Sequence, residues 1–172
     1  VLKLIGAAAL FLACGCFGLS KAAGYLRRPV ELRAMRAALM MLETEIVYGA
    51  TALPEALSRV ARRCDRSAAP LFRLAAEELR SMSGITAGEA WDKALQSYYP
   101  ATSLTPQDLA ILRDLGASLG VSDRDDQKRH LSLAGGQIGA GSAAAEAEAQ
   151  KSAKLWGYLG FLGGLMVVLV LI

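Results

Sequence analysis

The chain has 172 residues, 53% hydrophobic and 20% charged, with 19 basic residues against 16 acidic ones. That length suits one domain with a modest core, and a net charge of +3 is too small to call for a nucleic-acid partner. The three cysteines, Cys14, Cys16 and Cys64, make no metal or redox spacing, and the single histidine, His130, has no Cys, Asp-His or Ser partner at a recognisable interval. The sequence calls for no cofactor, no metal and no catalytic group.

A mean hydropathy of +0.33 is high for a chain that meets only water, and the charges show where the apolar residues gather. Only Lys3 lies outside the stretch Lys21–Lys154. The first uncharged block, Leu4–Ser20, would cover roughly 25 Å as a helix, at the short end of what crosses a hydrocarbon core. The last, Leu155–Ile172, opens with Trp156 and Tyr158, whose amphipathic rings suit the headgroup boundary. Lys21, Arg27 and Arg28 flank the first block, and Lys151 and Lys154 precede the second. Dense basic flanks stay on the cytoplasmic side and meet anionic lipid heads. The expected plan is therefore an N-terminal transmembrane anchor at 1–21, a cytoplasmic helical-bundle domain at 22–150 and a C-terminal transmembrane helix at 151–172. A rival reading of the first block is a lipoprotein signal cleaved before Cys14, which would place the body outside the cell; Arg33 and Arg36 add to the basic flank that opposes it.

Between the blocks Ala and Leu dominate and alternating β-branched runs are missing, so the fold class is all-α. Leu32, Met35, Leu39, Leu42 and Ile46 form one seam along a helix that Gly49 is placed to end. Pro54 and Glu55 suit the first turn of a second helix, with Leu53, Ala56, Leu57, Val60 and Ala61 inward. Leu71, Phe72, Ala75 and Leu79 mark a third, ending near Gly84. Thr86 and Glu89 make a capping box for a fourth, which buries Ala90, Trp91, Ala94, Leu95 and Tyr98 and stops at Pro100. Thr105-Pro106-Gln107-Asp108 is the strongest start signal in the chain, with Leu109, Leu112 and Leu119 following on one face and Gly120 as terminator. Ser122 with Asp125 is expected to open a last helix running to the second apolar block. Glycines at 135, 136, 139 and 141, each costing about 0.8–1 kcal/mol against Ala, predict a hinge or break in it.

Chemistry is poorly served by this pattern. Glu43 and Glu45 are close in sequence, but i and i+2 point to different helix faces and cannot share acid and base roles. Residues 115–122 imitate the turn of a helix-turn-helix, yet the helix behind them opens Asp123-Arg124-Asp125-Asp126, whose acids phosphates would repel. Gly160, Gly163 and Gly164 resemble the small-residue faces that let helices approach within a membrane.

The two terminal blocks, Met41–Gly49, Leu53–Leu57, Leu104–Asp108, Leu115-Gly116 through Leu119-Gly120, Ser122–Arg124, Lys154 and Leu159–Leu165 together resemble the stage III sporulation protein AB family. The resemblance covers nearly the whole chain and departs at 135–141, where the family prefers a more charged helix. It implies a non-enzymatic membrane platform in a channel-like complex joining mother cell and forespore, similar to the F-type platforms of type II secretion and type IV pilus machines. The implied partners are membrane lipids, a cytoplasmic hexameric ATPase and other small membrane subunits of the complex; homo-oligomerisation is left open. The implied location is the mother-cell membrane around the forespore, with two spans and a cytoplasmic body. The alternative is a membrane-tethered scaffold or regulator unrelated to secretion. Glu43, Glu45, Tyr48, Gly49, Asp123, Arg124, Asp125 and Asp126 are the candidate partner-binding residues, because they join charge with no evident core duty.

Overall fold

Apolar residues three and four apart organise every helix of the body. In the computed structural model, residues 26–81, 84–121 and 123–171 are described, with side chains through Lys151. Helix α1 spans 26–47, α2 Leu53–Arg63, α3 Ala69–Arg80 and α4 Ala87–Tyr98. After a short 3-10 turn at Tyr99–Ala101 come α5, Pro106–Ser118, and α6, Arg124–Leu171. Among the described residues there is no strand.

The chain divides into two units, one of residues 28–143 and one of residues 1–27 with 144–172. In the first, α2 packs on α3, α3 on α4 and α4 on α5. The whole α1 seam, Leu32, Met35, Leu39, Leu42 and Ile46, is buried. The five residues expected inward on α4 are all buried too. Trp91 is the hub. Its ring meets Phe72 of α3 edge-on at 5.6 Å, and its indole N–H donates to the Leu112 carbonyl of α5 at 2.7 Å. Tyr98 donates to the Ser67 carbonyl at 2.8 Å, tying α4 to the loop before α3.

In the second unit, described from residue 26, α6 remains helical to Leu171. The block Leu4–Ser20 and Lys21 lie outside the described residues, as do the side chains of Lys154, Trp156 and Tyr158. Among the described residues no helix is long and apolar enough to cross a membrane.

Three local expectations are corrected. The helix runs through 135–141 without a break. Packing outweighs propensity there: a Cβ at Gly139 would lie 3.1 Å from the Arg36 side chain, so the missing methyl lets α6 approach α1. Ser142 completes the contact, donating to the Pro29 carbonyl at 3.4 Å. The cap of α6 is Asp123, not Ser122, which lies outside the described residues. Asp123 accepts from the Asp126 amide at 2.8 Å, and its carbonyl takes the Gln127 amide.

At the end of α1 the left-handed residue is Ala50, with φ +46°, not Gly49. Gly49 is needed for space instead: a Cβ there would sit 2.7 Å from the Glu45 carbonyl oxygen. The amides of Gly49 and Thr51 hold the turn on the Thr44 and Glu45 carbonyls, both at 3.1 Å. An L-residue in this region costs about 1–2 kcal/mol. Ala50→Gly should therefore stabilise the bundle by about 0.5 kcal/mol, after the extra freedom glycine gives the unfolded chain. Thermal melting checks it: a lower melting temperature would show that the turn carries no such strain.

Candidate functional site

The candidate residues fall at the end of α1 and the start of α6, each beside a turn. A Cβ at Gly120 would lie 2.8 Å from the Ala87 methyl of α4 and 3.7 Å from a Leu53 methyl at the start of α2, so the turn before α6 is seated close to both helices. Tyr48 is 74% exposed on the first turn and Val121 80% exposed on the second. An amphipathic tyrosine ring and an apolar valine this open to water are available to a partner. Asp123, Arg124, Asp125 and Asp126 are exposed beside Val121. One group of candidate residues thus lies at the end of α1 and the turn after it, and the other at the start of α6.

Their side chains are not equally free. Asp123 caps α6, and Asp126 faces His130 at 3.8 Å. Glu45, only 15% exposed in its side chain, pairs with Arg59 at 3.2 Å and Arg63 at 3.6 Å and accepts from the Thr51 hydroxyl at 3.1 Å. It staples α1 to α2. Glu43 is half-buried and takes no part in that network. Tyr48, Arg124 and Asp125 are exposed, as is Gly49.

The polar centre of the body lies elsewhere, on a residue the sequence marked only as a helix start. Asp108 is 2% exposed. Its carboxylate accepts a forked pair of bonds from Arg28, 2.9 Å from Nε and 3.1 Å from Nη2. The same carboxylate takes the Thr105 amide and hydroxyl, each at 2.8 Å, while the Thr105 hydroxyl oxygen accepts from the Asp108 amide. Burial pushes the Asp108 carboxyl up, but Arg28 and Thr105 together outweigh it and leave it below the usual carboxylate range. Of the basic residues expected at the bilayer boundary, Arg28 gives its guanidinium to this bond, whereas Arg27 and Lys151 are exposed. Nothing local foretells the pair, because its members are 80 residues apart.

The Thr86–Glu89 cap forms as expected and holds the Glu89 carboxyl below its ordinary value through the Thr86 amide and hydroxyl. Among the described residues no group of His, Cys, Asp or Glu could hold a metal ion. Cys64 is half-buried, and burial raises its thiol. The geometry offers a surface and a brace rather than converging reactive groups.

A family model for stage III sporulation protein AB matches residues 3–172. The chain belongs to the stage III sporulation protein AB family. A curated member from Bacillus subtilis (strain 168) is 35% identical over 171 residues, covering 99% of each chain. A solved structure of a stage III sporulation protein AB aligns with a TM-score of 0.67 at 33% identity, over 72% of this chain and 97% of that one. The family is one of sporulation proteins, and its helical body is the fold described above.

Proposed function

We propose that the chain is a non-enzymatic, membrane-held platform subunit of the mother cell–forespore channel complex, linking a cytoplasmic hexameric ATPase to small membrane subunits. Membership of the sporulation family supports this reading, and the observation that carries it is that Tyr48, just after α1, and Val121, just before the acidic start of α6, both stand exposed. Exposed aromatic anchors ringed by charge are what protein partners use as hot spots. The apolar blocks Leu4–Ser20 and Leu155–Ile172 would fix the body to the mother-cell membrane at two points, so that displacement is transmitted rather than lost. Arg27, Lys151 and Lys154 then face anionic lipid.

The ATPase contact is tested by co-purification with the full chain. Tyr48→Ala and Asp125→Lys should each lower ATPase recovery about fivefold or more while melting stays unchanged, since neither side chain is buried. Glu45→Lys is a poor probe, because it also breaks the Arg59 and Arg63 pairs. Unaltered recovery for both surface variants removes these residues from the interface. Full-length chain left in a detergent-free supernatant after high-speed sedimentation would overturn membrane attachment.

A further inference from the structure

A second charged surface, on α2 and α3, is unused by the platform reading. Between α2 and α3 runs a groove of about 250 Å³, whose charged lining is Arg62, Arg73, Arg80 and Glu77. Its floor is Ser58, Ala61 and Ala76, small side chains that leave room for an incoming backbone. From Leu53 to Ser81 the chain uses six arginines and no lysine. Arginine is the cation whose planar fork matches a carboxylate.

The region already shows how it takes one. The Glu55 carboxylate receives Arg80 at 2.9 Å, Arg59 at 3.3 Å and Arg62 at 3.5 Å. Its pKa is lowered, with the Arg59 bond the largest cause. One carboxylate thus spends a few of the many N–H donors that three guanidinium groups carry. Arg73, exposed on the same groove, has no hydrogen-bond or ion-pair partner among the described residues.

We infer that this groove binds an acidic segment of a protein partner, whose Asp or Glu side chains pair with Arg62, Arg73 and Arg80. A peptide fits better than a polyphosphate chain or a lipid surface. Glu77 also lines the groove and repels any anion set against it, so an occupant must carry its negative charges spaced apart, as a peptide backbone does and a polyphosphate chain does not. The groove is also a slot between two helices rather than a flat basic face.

The test uses the full chain in neutral detergent and a short fluorescein-labelled oligoglutamate peptide, followed by fluorescence anisotropy. Arg73→Glu should weaken binding about tenfold, whereas Lys128→Glu, an equal charge change on the exposed surface of α6, should cost less than about twofold. Arg73→Gln should fall between wild type and Arg73→Glu. Thermal melts of the Arg73 variants should match wild type, since the side chain is exposed and unpaired. Equal losses from Arg73→Glu and Lys128→Glu, or no saturable binding by wild type, would overturn the proposal. So would tighter, Arg73-dependent binding to phosphatidylglycerol vesicles or duplex DNA, which would assign the groove to phosphates.

Discussion

Asp108→Asn lowers the unfolding free energy of the bundle by about 3 kcal/mol at neutral pH, as expected for breaking a buried, hydrogen-bonded ion pair. Two costs combine in that loss. The Arg28 guanidinium, 21% exposed in its side chain, loses the charge of the Asp108 carboxylate, and one of the two oxygens that accept from Arg28 and Thr105 becomes an NH2 donor facing other donors. For a chain of this size the melting temperature should fall by roughly 6–12 °C. The pH dependence separates the ion pair from mere cap loss. The folded-state pKa of Asp108 is below its usual value, so its contribution is fully present above the unfolded pKa of about 3.9 and is lost as pH falls through the folded value. The stability gap between wild type and Asp108→Asn should therefore be flat from neutral pH to about pH 5 and close at lower pH. A gap that persists unchanged in acid would show that the carboxylate charge contributes nothing. Arg28→Lys keeps the charge but loses the fork, and should recover only part of the stability. The pair matters mechanically, because it is a direct bond between the first helix and the start of α5.

What could be read in advance follows the range of the interaction. The α1 seam and the inward set Ala90, Trp91, Ala94, Leu95 and Tyr98 depend on helical period alone, and all are buried. The caps at Thr86 and Thr105 depend on neighbours three residues away, and both form. Errors begin where a distant segment decides. Gly139 looked like a flaw in α6 because its neighbour Arg36 belongs to another helix. Ser58 and Ala76 are buried where α2 meets α3, while Leu53 and Leu79, the bulkier choices, are partly exposed. The α6 seam of Leu131, Ala134, Ile138, Ser142, Ala145 and Ala149 has a clean spacing of three and four, and its small residues hide it from a reading tuned to leucine. For the candidate site, sequence picked out charges at the end of α1 and the start of α6 but not that Leu53 of α2 lies near Gly120. Nor could it show that Glu45 is held by Arg59 and Arg63. Exposure is a property of the assembled bundle, so Tyr48 and Val121 gain their meaning only after α1, α2, α5 and α6 are in place.

Gly116→Ala should destabilise the bundle by about 3 kcal/mol, and removing Trp91 should cancel most of that cost. The glycine lies on α5 with its α-carbon against the indole: a Cβ would fall within 3.2 Å of three ring atoms. The ring cannot yield. It is 1% exposed, held edge-on by Phe72 and tied through its N–H to Leu112 on the very helix that carries Gly116. A methyl there must push α5 off α4 or drive the indole from its rotamer, and either route strains a close-packed interior. Trp91→Ala alone should cost about 4 kcal/mol through lost burial, the cavity left behind and the lost indole bond to the Leu112 carbonyl. In that background the new methyl projects into empty space, so Gly116→Ala should cost less than about 1 kcal/mol. The double-mutant cycle, read by far-UV circular dichroism melts in urea, should thus show a coupling of about 2 kcal/mol or more. Additive losses would mean that Gly116 serves α5 for some reason other than room for the ring. Coupling of the expected size would show that α4 and α5 are seated by one aromatic side chain meeting one missing methyl. Leu53, Gly120 and the exposed turns beside them would then take their places from that seat.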